Sequence, residues 1–548
     1  IYLARPLWLK LDTIKAPIQN LLHVVKSPAH LYRGYPAMDT TNLSEAKPTG
    51  PALLLVIIGV LLYSTLSPFL YETFSHLRRI PGPLAARLSR FWYLSRVSTG
   101  RFHFTSIDLH QKYGSIVRIA PRQYSLSDPS VVKQIYGIGH GFPKSEWYHA
   151  SSVPNAEWKD LFTDLDSTRH AANRRVVANL YSATALRDME PNVEECINQY
   201  VAKLERMAET GEQFNLQFWM QCYAFDVICQ ITLGERYGFL DTGRDNGDIF
   251  SSLHAYLKYC ALVGIEHEWH NIGWWILNQL PASGLAKVAQ FTIQALVKNR
   301  STYEKQDVVS RNTRKDFLAK LLRLQEADPR KFPDSAVFTT CITNIGAGSD
   351  TTSISLCAVL DYLVLDEICL EKLRNEVDAK FAELGNPEHL PFKDTQAMPY
   401  FQACIKEALR LHPATGLPLA RTVPEGGATL SGTFFPAGST VGINAWVIQR
   451  DKSVFGADAN AYRPERWLIS DKAALSNMEK NWMPFGAGSR TCIGKNISLL
   501  EMNKLVPSLI RRFDFKRQTT GEMKHENFWF VKQMNLEYKV AARKSVSM

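Results

Sequence analysis

The chain has 548 residues and, after its first hundred, shows no clear linker, repeat or low-complexity stretch, which leaves room for one large, mainly helical domain. Its formal charge of +10 points to an acidic partner or a membrane surface, and no basic block with interleaved aromatics occurs to suggest nucleic acid. Nine cysteines without a C-x-x-C pair argue against a disulfide framework or structural zinc and for a reducing compartment.

The chain opens on Ile1, and its first methionine is Met38. Residues 1–37 are expected to be a non-native extension, from upstream sequence or a mispredicted exon; a genuine extension is the other reading. Residues 38–50 would be a short lumenal leader, with an Asn42-Leu43-Ser44 sequon too near the membrane for use. From Pro51 to Leu70 no charge interrupts an apolar run. About 20 such residues span a bilayer as a helix. Residues 51–70 are therefore predicted as a transmembrane anchor rather than a cleaved signal. His76, Arg78, Arg79, Arg87 and Arg90 follow, around Pro81-Gly82-Pro83. The positive-inside bias places this side in the cytosol. Residues 71–90 are expected as a stiff, basic hinge.

Farther on, His170 and Arg174 stand four apart and share one face if helical. A solvated basic face is the plain alternative. Pro333 and Asp334 open a proline-free stretch lasting to Pro391. Its first part, through Asp366, is predicted as one long, mostly apolar helix, about 45 Å in length. An apolar surface most of the way round implies burial.

Ala347-Gly348-Ser349-Asp350-Thr351-Thr352 lies inside that helix. Glycine weakens helices, and Ser, Asp and Thr compete for backbone hydrogen bonds. A local kink with satisfied hydroxyls is one account. A groove opened by small Ala347 and Gly348 is the other, with Thr351 holding a water or an oxygen ligand and Asp350 relaying protons.

Pro399 starts a predicted helix that runs to Leu411, before Pro413. Glu407 and Arg410 share a face of it, which alone is weak evidence. Leu417 to Trp446 alternates apolar and polar residues around Ser431-Gly432 and Ala437-Gly438, and is predicted as short hairpins. Pro464-Glu465-Arg466-Trp467 follows.

The most informative stretch runs from Phe485 to Gly494, FGAGSRTCIG. A thiolate at Cys492 would be a strong ligand for haem iron. Glycines let the backbone pass close under a flat macrocycle. Backbone N–H groups at a helix start can hold the negative sulfur. Arg490 could neutralise a haem propionate, and the Phe485 ring could shield the sulfur. A lone cysteine is otherwise a small buried hydrophobe. The glycine spacing is too long for a dinucleotide fingerprint.

The pattern F-x-x-G-x-R-x-C-x-G formed by Phe485, Gly488, Arg490, Cys492 and Gly494 resembles the haem-ligand loop of the cytochrome P-450 (CYP) haem-thiolate monooxygenases. Ala347 to Thr352 matches the family's A-G-x-D-T-T, which implies catalytic roles for Asp350 and Thr351. Glu407, Arg410 and Arg466 match its buried ion-pair network. Arg421 matches its propionate-binding arginine. His170 and Arg174 match its Trp-x-x-x-Arg pair with His in place of Trp, and imidazole can also donate to a carboxylate. These segments occur in family order. PGPLAARLSRFW, LHQKYGSIVRIAP and the Arg-Thr-Val-Pro segment look most like fungal secondary-metabolism members of the pisatin-demethylase-like group.

The resemblance implies a mainly α fold with small β-sheets, residues 91–548 forming one haem domain behind the transmembrane helix. It implies haem b, O2, and NADPH-derived electrons from a separate NADPH-cytochrome P-450 reductase, with cytochrome b5 as a further donor. The 56 residues after Cys492 are too few for a flavin domain. Lys495, Arg511 and Arg512 are candidate reductase contacts. The reaction would be hydroxylation, epoxidation or oxidative demethylation of a lipophilic small molecule in secondary metabolism. The enzyme would sit on the endoplasmic reticulum membrane, facing the cytosol. His267 to Trp275 would form an aromatic roof near the lipid. Other readings remain: a detoxifying demethylase of plant or xenobiotic aromatics, a same-fold isomerase or dehydratase, a haem sensor, and a tethered interaction protein without a cofactor.

Overall fold

The computed structural model describes residues 75–544, apart from 140, 280–283 and 522. The expected extension 1–37, leader 38–50, anchor 51–70 and first hinge residues lie outside the described residues. Among the described residues no helix is long and apolar enough to cross a membrane. The rest of the expected hinge is not a free link. Leu77 and Ile80 are buried, Pro81 O accepts from Arg118 N at 2.9 Å, and Leu77 O accepts from the Arg118 guanidinium at 2.6 Å. The globule therefore starts upstream of residue 91, because apolar Leu77 and Ile80 find a sheet to cover.

The fold is mainly helical. Helix α1 (Ser167–Val177) starts where the Asp166 carboxylate accepts from the Thr168 and Arg169 amides. Helix α2 (Leu216–Leu233) is capped by Asn215 and ends at left-handed Gly234. Helices α3 (Ile249–Val263) and α4 (His270–Gln279) follow. Helix α5 (Asp334–Leu365) is the predicted long helix, at 32 residues. It ends because Asp366 leaves helical geometry and caps the next helix. Helix α6 (Pro399–Leu411) begins on proline, which needs no N–H partner there. Helix α7 (Lys495–Arg512) follows the cysteine loop.

Helices α2 and α5 run against each other through the core. Their close approach depends on Gly348: a Cβ there would lie 2.7 Å from Ile228. A Thr352–Ser498 hydroxyl pair at 2.8 Å ties α5 to α7.

The sheets are small. Ile116–Ala120, Gln123–Leu126, Thr440–Ile443 and Arg421–Thr422 lie side by side, the middle two parallel. Ala428–Leu430 and Thr433–Phe435 form a hairpin turning at Ser431 and Gly432, both with positive φ. The hairpins expected between Leu417 and Trp446 are thus present, completed by two strands from far upstream. Lys524–Phe528 and Phe530–Met534 form a second hairpin turning at Trp529.

Three histidines surround Trp446. Ring centroids lie 4.6 Å (His103) and 5.0 Å (His412) from it, and His412 and His525 are 5.1 Å apart. Burial, then mutual proximity and Arg450, push His103 and His412 well below the usual range. Burial, then Arg450, pushes His525 down to about 4. Such groups stay neutral in the fold while the unfolded chain protonates near 6.5. Their contribution is complete above that pH and is lost as pH falls toward 4, on the order of 3 kcal/mol for a shift like that of His525. Melting temperature is expected to be flat above pH 7 and to fall between pH 6.5 and 4. A thermal-melt series on His525→Gln should show a shallower fall.

Candidate active site

The cysteine loop enters α7 through a short 3-10 turn, Gly488–Arg490. Gly488 has φ +66, and a Cβ there would lie 1.6 Å from Tyr136 O, so the position admits no side chain. The Cys492 amide donates to Phe485 O at 2.9 Å, which closes the loop on itself. The Phe485 ring meets Trp482 at 5.9 Å. Lys495 Nζ lies 5.7 Å from the same ring.

The other eight cysteines are buried; Cys492 alone is exposed. Protein nevertheless surrounds its sulfur closely, and burial pushes the thiol up, against amide hydrogen bonds from Gly494 and Lys495 and the positive charges of Arg174 and Lys495. The sulfur thus opens onto an interior space rather than an outer face. Donors and cations already aim at a thiolate there.

Beside it lies a cluster of cations. Arg490 donates through Nη1 to Asp164 O at 2.8 Å, while its Nη2 is buried without a hydrogen-bond partner. Buried Arg421 donates to Ala420 O at 3.0 Å and lies 5.1 Å from the Tyr136 ring centroid. His170, buried on α1, is pushed down to about 4 by burial and then by Arg490, Arg174 and Lys144. Lys144 is pushed well down by burial and then by Arg421 and Arg490. The Asp164 carboxylate is taken by Arg169, at 2.6 and 2.9 Å. Like charges gathered this closely and partly buried call for an anionic counterpart. The carboxylate edge of a haem fits, with Arg490 Nη2 as a ready donor.

Sequence reasoning brought His170, Arg174, Arg421, Arg490 and Cys492 here and missed Lys144, Tyr148 and Tyr181. Lys144 pairs with Arg421 as an isolated β-bridge. Tyr148 Oη lies 3.5 Å from Arg421 Nη1. Tyr181 bridges α5 and α7, its hydroxyl donating to Asn344 Oδ1 at 2.6 Å and its carbonyl accepting from Asn496 at 2.9 Å. No local motif marks these residues, because the contacts that bring them to the site, with Arg421, Asn344 and Asn496, come from segments more than a hundred positions away.

Helix α5 opens toward the interior at Ala347, which is exposed within a largely buried helix. The Thr351 hydroxyl donates to Ala347 O at 2.7 Å, a back-bond to the preceding turn. The room on this face comes from Ala347 and not from Gly348, whose missing Cβ serves the contact with α2. Buried Asp350 points elsewhere: its Oδ1 accepts from Gln221 at 2.5 Å and from Lys532 at 3.3 Å.

Behind the loop, Glu407 and Arg410 on α6 form a bidentate pair, both contacts at 2.8 Å. Arg466 Nε donates to the same carboxylate at 2.8 Å and Trp467 Nε1 at 2.9 Å. All three charged side chains are almost wholly buried. Arg410 also donates to Gln449 O at 2.6 Å, and Gln449 Oε1 accepts from Met483 N at 2.7 Å. Met483 O in turn accepts from Gly486 N, so the network reaches the loop. Glu407→Gln is expected to cost about 3–5 kcal/mol, since it strands two buried guanidinium groups. Denaturant titration of the variant checks this.

Of the proposed reductase contacts, Lys495 lies on the loop side. Arg511 packs 3.7 Å from the Phe381 ring centroid and donates to Asn386 at 2.9 Å. It and Arg512 stand at the opposite end of α7, about 25 Å away by helix rise.

The family model for cytochrome P-450 matches residues 81–540. Pisatin demethylase of Fusarium vanettenii is 38% identical over 503 residues, covering 89% of this chain and 93% of its own length. Cytochrome P-450 monooxygenase cicH of Emericella nidulans is 35% identical over 488 residues, 88% and 97% of the two chains. Cytochrome P-450 monooxygenase gsfF of Penicillium aethiopicum is 34% identical over 507 residues, 89% and 98%.

Proposed function

We propose, from the premise that this chain belongs to the cytochrome P-450 family, that Cys492 would hold its haem iron through the thiolate and that Asp350 and Thr351 would deliver protons at that site. The protein is a haem monooxygenase that takes O2, a small-molecule substrate and electrons from a redox partner. The haem, when bound, supplies oxygen activation and carbon oxidation. The chain supplies the rest. Gly494 and Lys495 amides hold the sulfur. Arg174, Arg421, Arg490, His170 and Lys144 would hold the carboxylate edge. Thr351 holds a hydroxyl at the open face of α5, and Asp350 holds a carboxylate one residue away. The observation that carries the reading is a lone exposed cysteine thiol inside the protein, aimed at by two amides and flanked by a cation cluster.

Cys492→Ser is expected to abolish the red-shifted thiolate band of the reduced carbon-monoxide complex. Its absence from the unsubstituted protein would sink the ligand assignment.

The substrate class we favour is a lipophilic aromatic of fungal secondary metabolism. Trp147 and Trp529 stack at 4.5 Å, and Tyr148 and Phe162 meet them edge-on, an aromatic core cluster that adjoins Arg421 through Tyr148. Oxidative demethylation of a plant aromatic is a second reading, favoured by the likeness to pisatin demethylase. The electron donor in this reading is NADPH-cytochrome P-450 reductase, with cytochrome b5 as an additional donor and Lys495 at the docking face.

The proposed location is the endoplasmic reticulum membrane, with 51–70 as anchor and the haem domain in the cytosol. Its support is a second apolar surface. Leu84, Phe91, Trp269 and Trp275 are 79%, 70%, 62% and 56% exposed. The Arg90–Glu268 ion pair, 2.7 Å, brings the two segments together. Such a patch suits insertion into the headgroup region. In phosphatidylcholine vesicles, brominated lipid is expected to quench tryptophan fluorescence of the full chain, and Trp269→Leu with Trp275→Leu to remove most of that quenching.

A further inference from the structure

A polar track leads from solvent to Asp350. On the hairpin Lys524–Met534, Glu526 and Lys532 are directly paired across the strands, so their side chains share one face. On the outer side, Glu526 Oε2 meets His254 Nε2 of α3 at 3.1 Å. On the inner side, Lys532 Nζ donates to Gln221 Oε1 of α2 at 2.8 Å and to Asp350 Oδ1 of α5 at 3.3 Å. His254, Glu526, Lys532 and Asp350 line one narrow cleft, with Phe528, Phe530, Leu257 and Ile354 as its apolar walls.

Side-chain exposure falls along it in order: 35% at His254, 31% at Glu526, 15% at Lys532 and 4% at Asp350. A set of independent surface ion pairs has no reason to form such a gradient, and contributes little to stability. Four elements converge to keep apolar walls around titratable groups. Burial holds His254 below its usual range, Glu526 and Asp350 act to raise it, and Lys532 and Lys258 act to lower it.

We propose that this cleft is the proton inlet of the enzyme, with Lys532 as a positioning residue that turns the Asp350 carboxylate toward it. The inference rests on the proton role of Asp350 proposed above. A proton from bulk solvent enters at the His254–Glu526 pair, crosses the cleft to Asp350, and leaves Asp350 inward, so the carboxylate is restored and the inlet is refilled from outside. Lys532 keeps its proton throughout. Lys532 sits three residues from Trp529, so the same hairpin carries both the inlet and a ring of the aromatic core.

The test uses the full chain with haem, NADPH and reductase and no added substrate, following oxygen consumption in H2O and D2O. Each variant is first checked for the red-shifted carbon-monoxide band. Lys532→Met and Glu526→Gln are expected to slow consumption roughly tenfold and to raise the solvent isotope effect. Lys532→Arg should restore most of the rate. A second readout needs no turnover: acetylation of Lys532, read by mass spectrometry, should rise several-fold in Asp350→Asn, where the amine loses its carboxylate. Unchanged rates and isotope effects in Lys532→Met and Glu526→Gln, with Asp350→Asn slowed, would overturn the inlet and leave the role of Asp350 standing. An unchanged Asp350→Asn would overturn that role itself and the inlet with it.

Discussion

The carboxylate of Glu407 is the point on which the rest of the structure leans. It sits out of reach of solvent and accepts from two guanidinium groups, an indole and a backbone amide. Buried charges are tolerated when every lone pair and proton is used, and here they are. Arg410 and Arg466 spend their remaining donors on carbonyls of the segment 449–461. That fastens a stretch whose only regular element is the one-turn helix Lys452–Phe455. Through Gln449 and Met483 the same network reaches the loop that presents Cys492.

The two charge clusters of this protein are opposites in design. Around Glu407, anion and cations are matched and the cluster is closed. Around Arg490, cations outnumber partners, and each depresses its neighbours. The first is an arrangement for holding a fold. The second is one for receiving an acidic group, which is what a cofactor with two carboxylates brings. The sulfur follows the same logic: eight cysteines are ordinary core residues, and the ninth is kept open with amides aimed at it.

Long helices were legible from the chain because their signals are local. Pro333, Pro399 and Pro413 bracket α5 and α6, and the observed bounds lie within a residue of those read from the sequence. The cysteine loop and Glu407–Arg410 pair were legible for the same reason, as short motifs. Lys144, Tyr148, Tyr181 and Gln449 were not. Each works through partners supplied by a distant segment, and none sits in a periodic or spaced pattern. Gly348 shows the other failure: a small residue in a helix reads as room for a ligand, yet its Cβ direction faces Ile228 of α2. The hinge was misread because proline and arginine mark exposed linkers, and only the docked sheet shows that Leu77 has somewhere to bury.

The sequence by itself determined the chemistry of the centre: a thiol in a glycine loop, an acid beside an alcohol in an apolar helix, and an acid–arginine pair on one helix face. Those are matters of residue type and spacing, which a chain carries without folding. The tertiary structure decided which charges gather and which are paired. It set Lys532 and His254 around Asp350, Lys144 beside Arg421, and the thiol toward the interior. Such placements depend on hairpin register and helix crossing, which no segment holds alone.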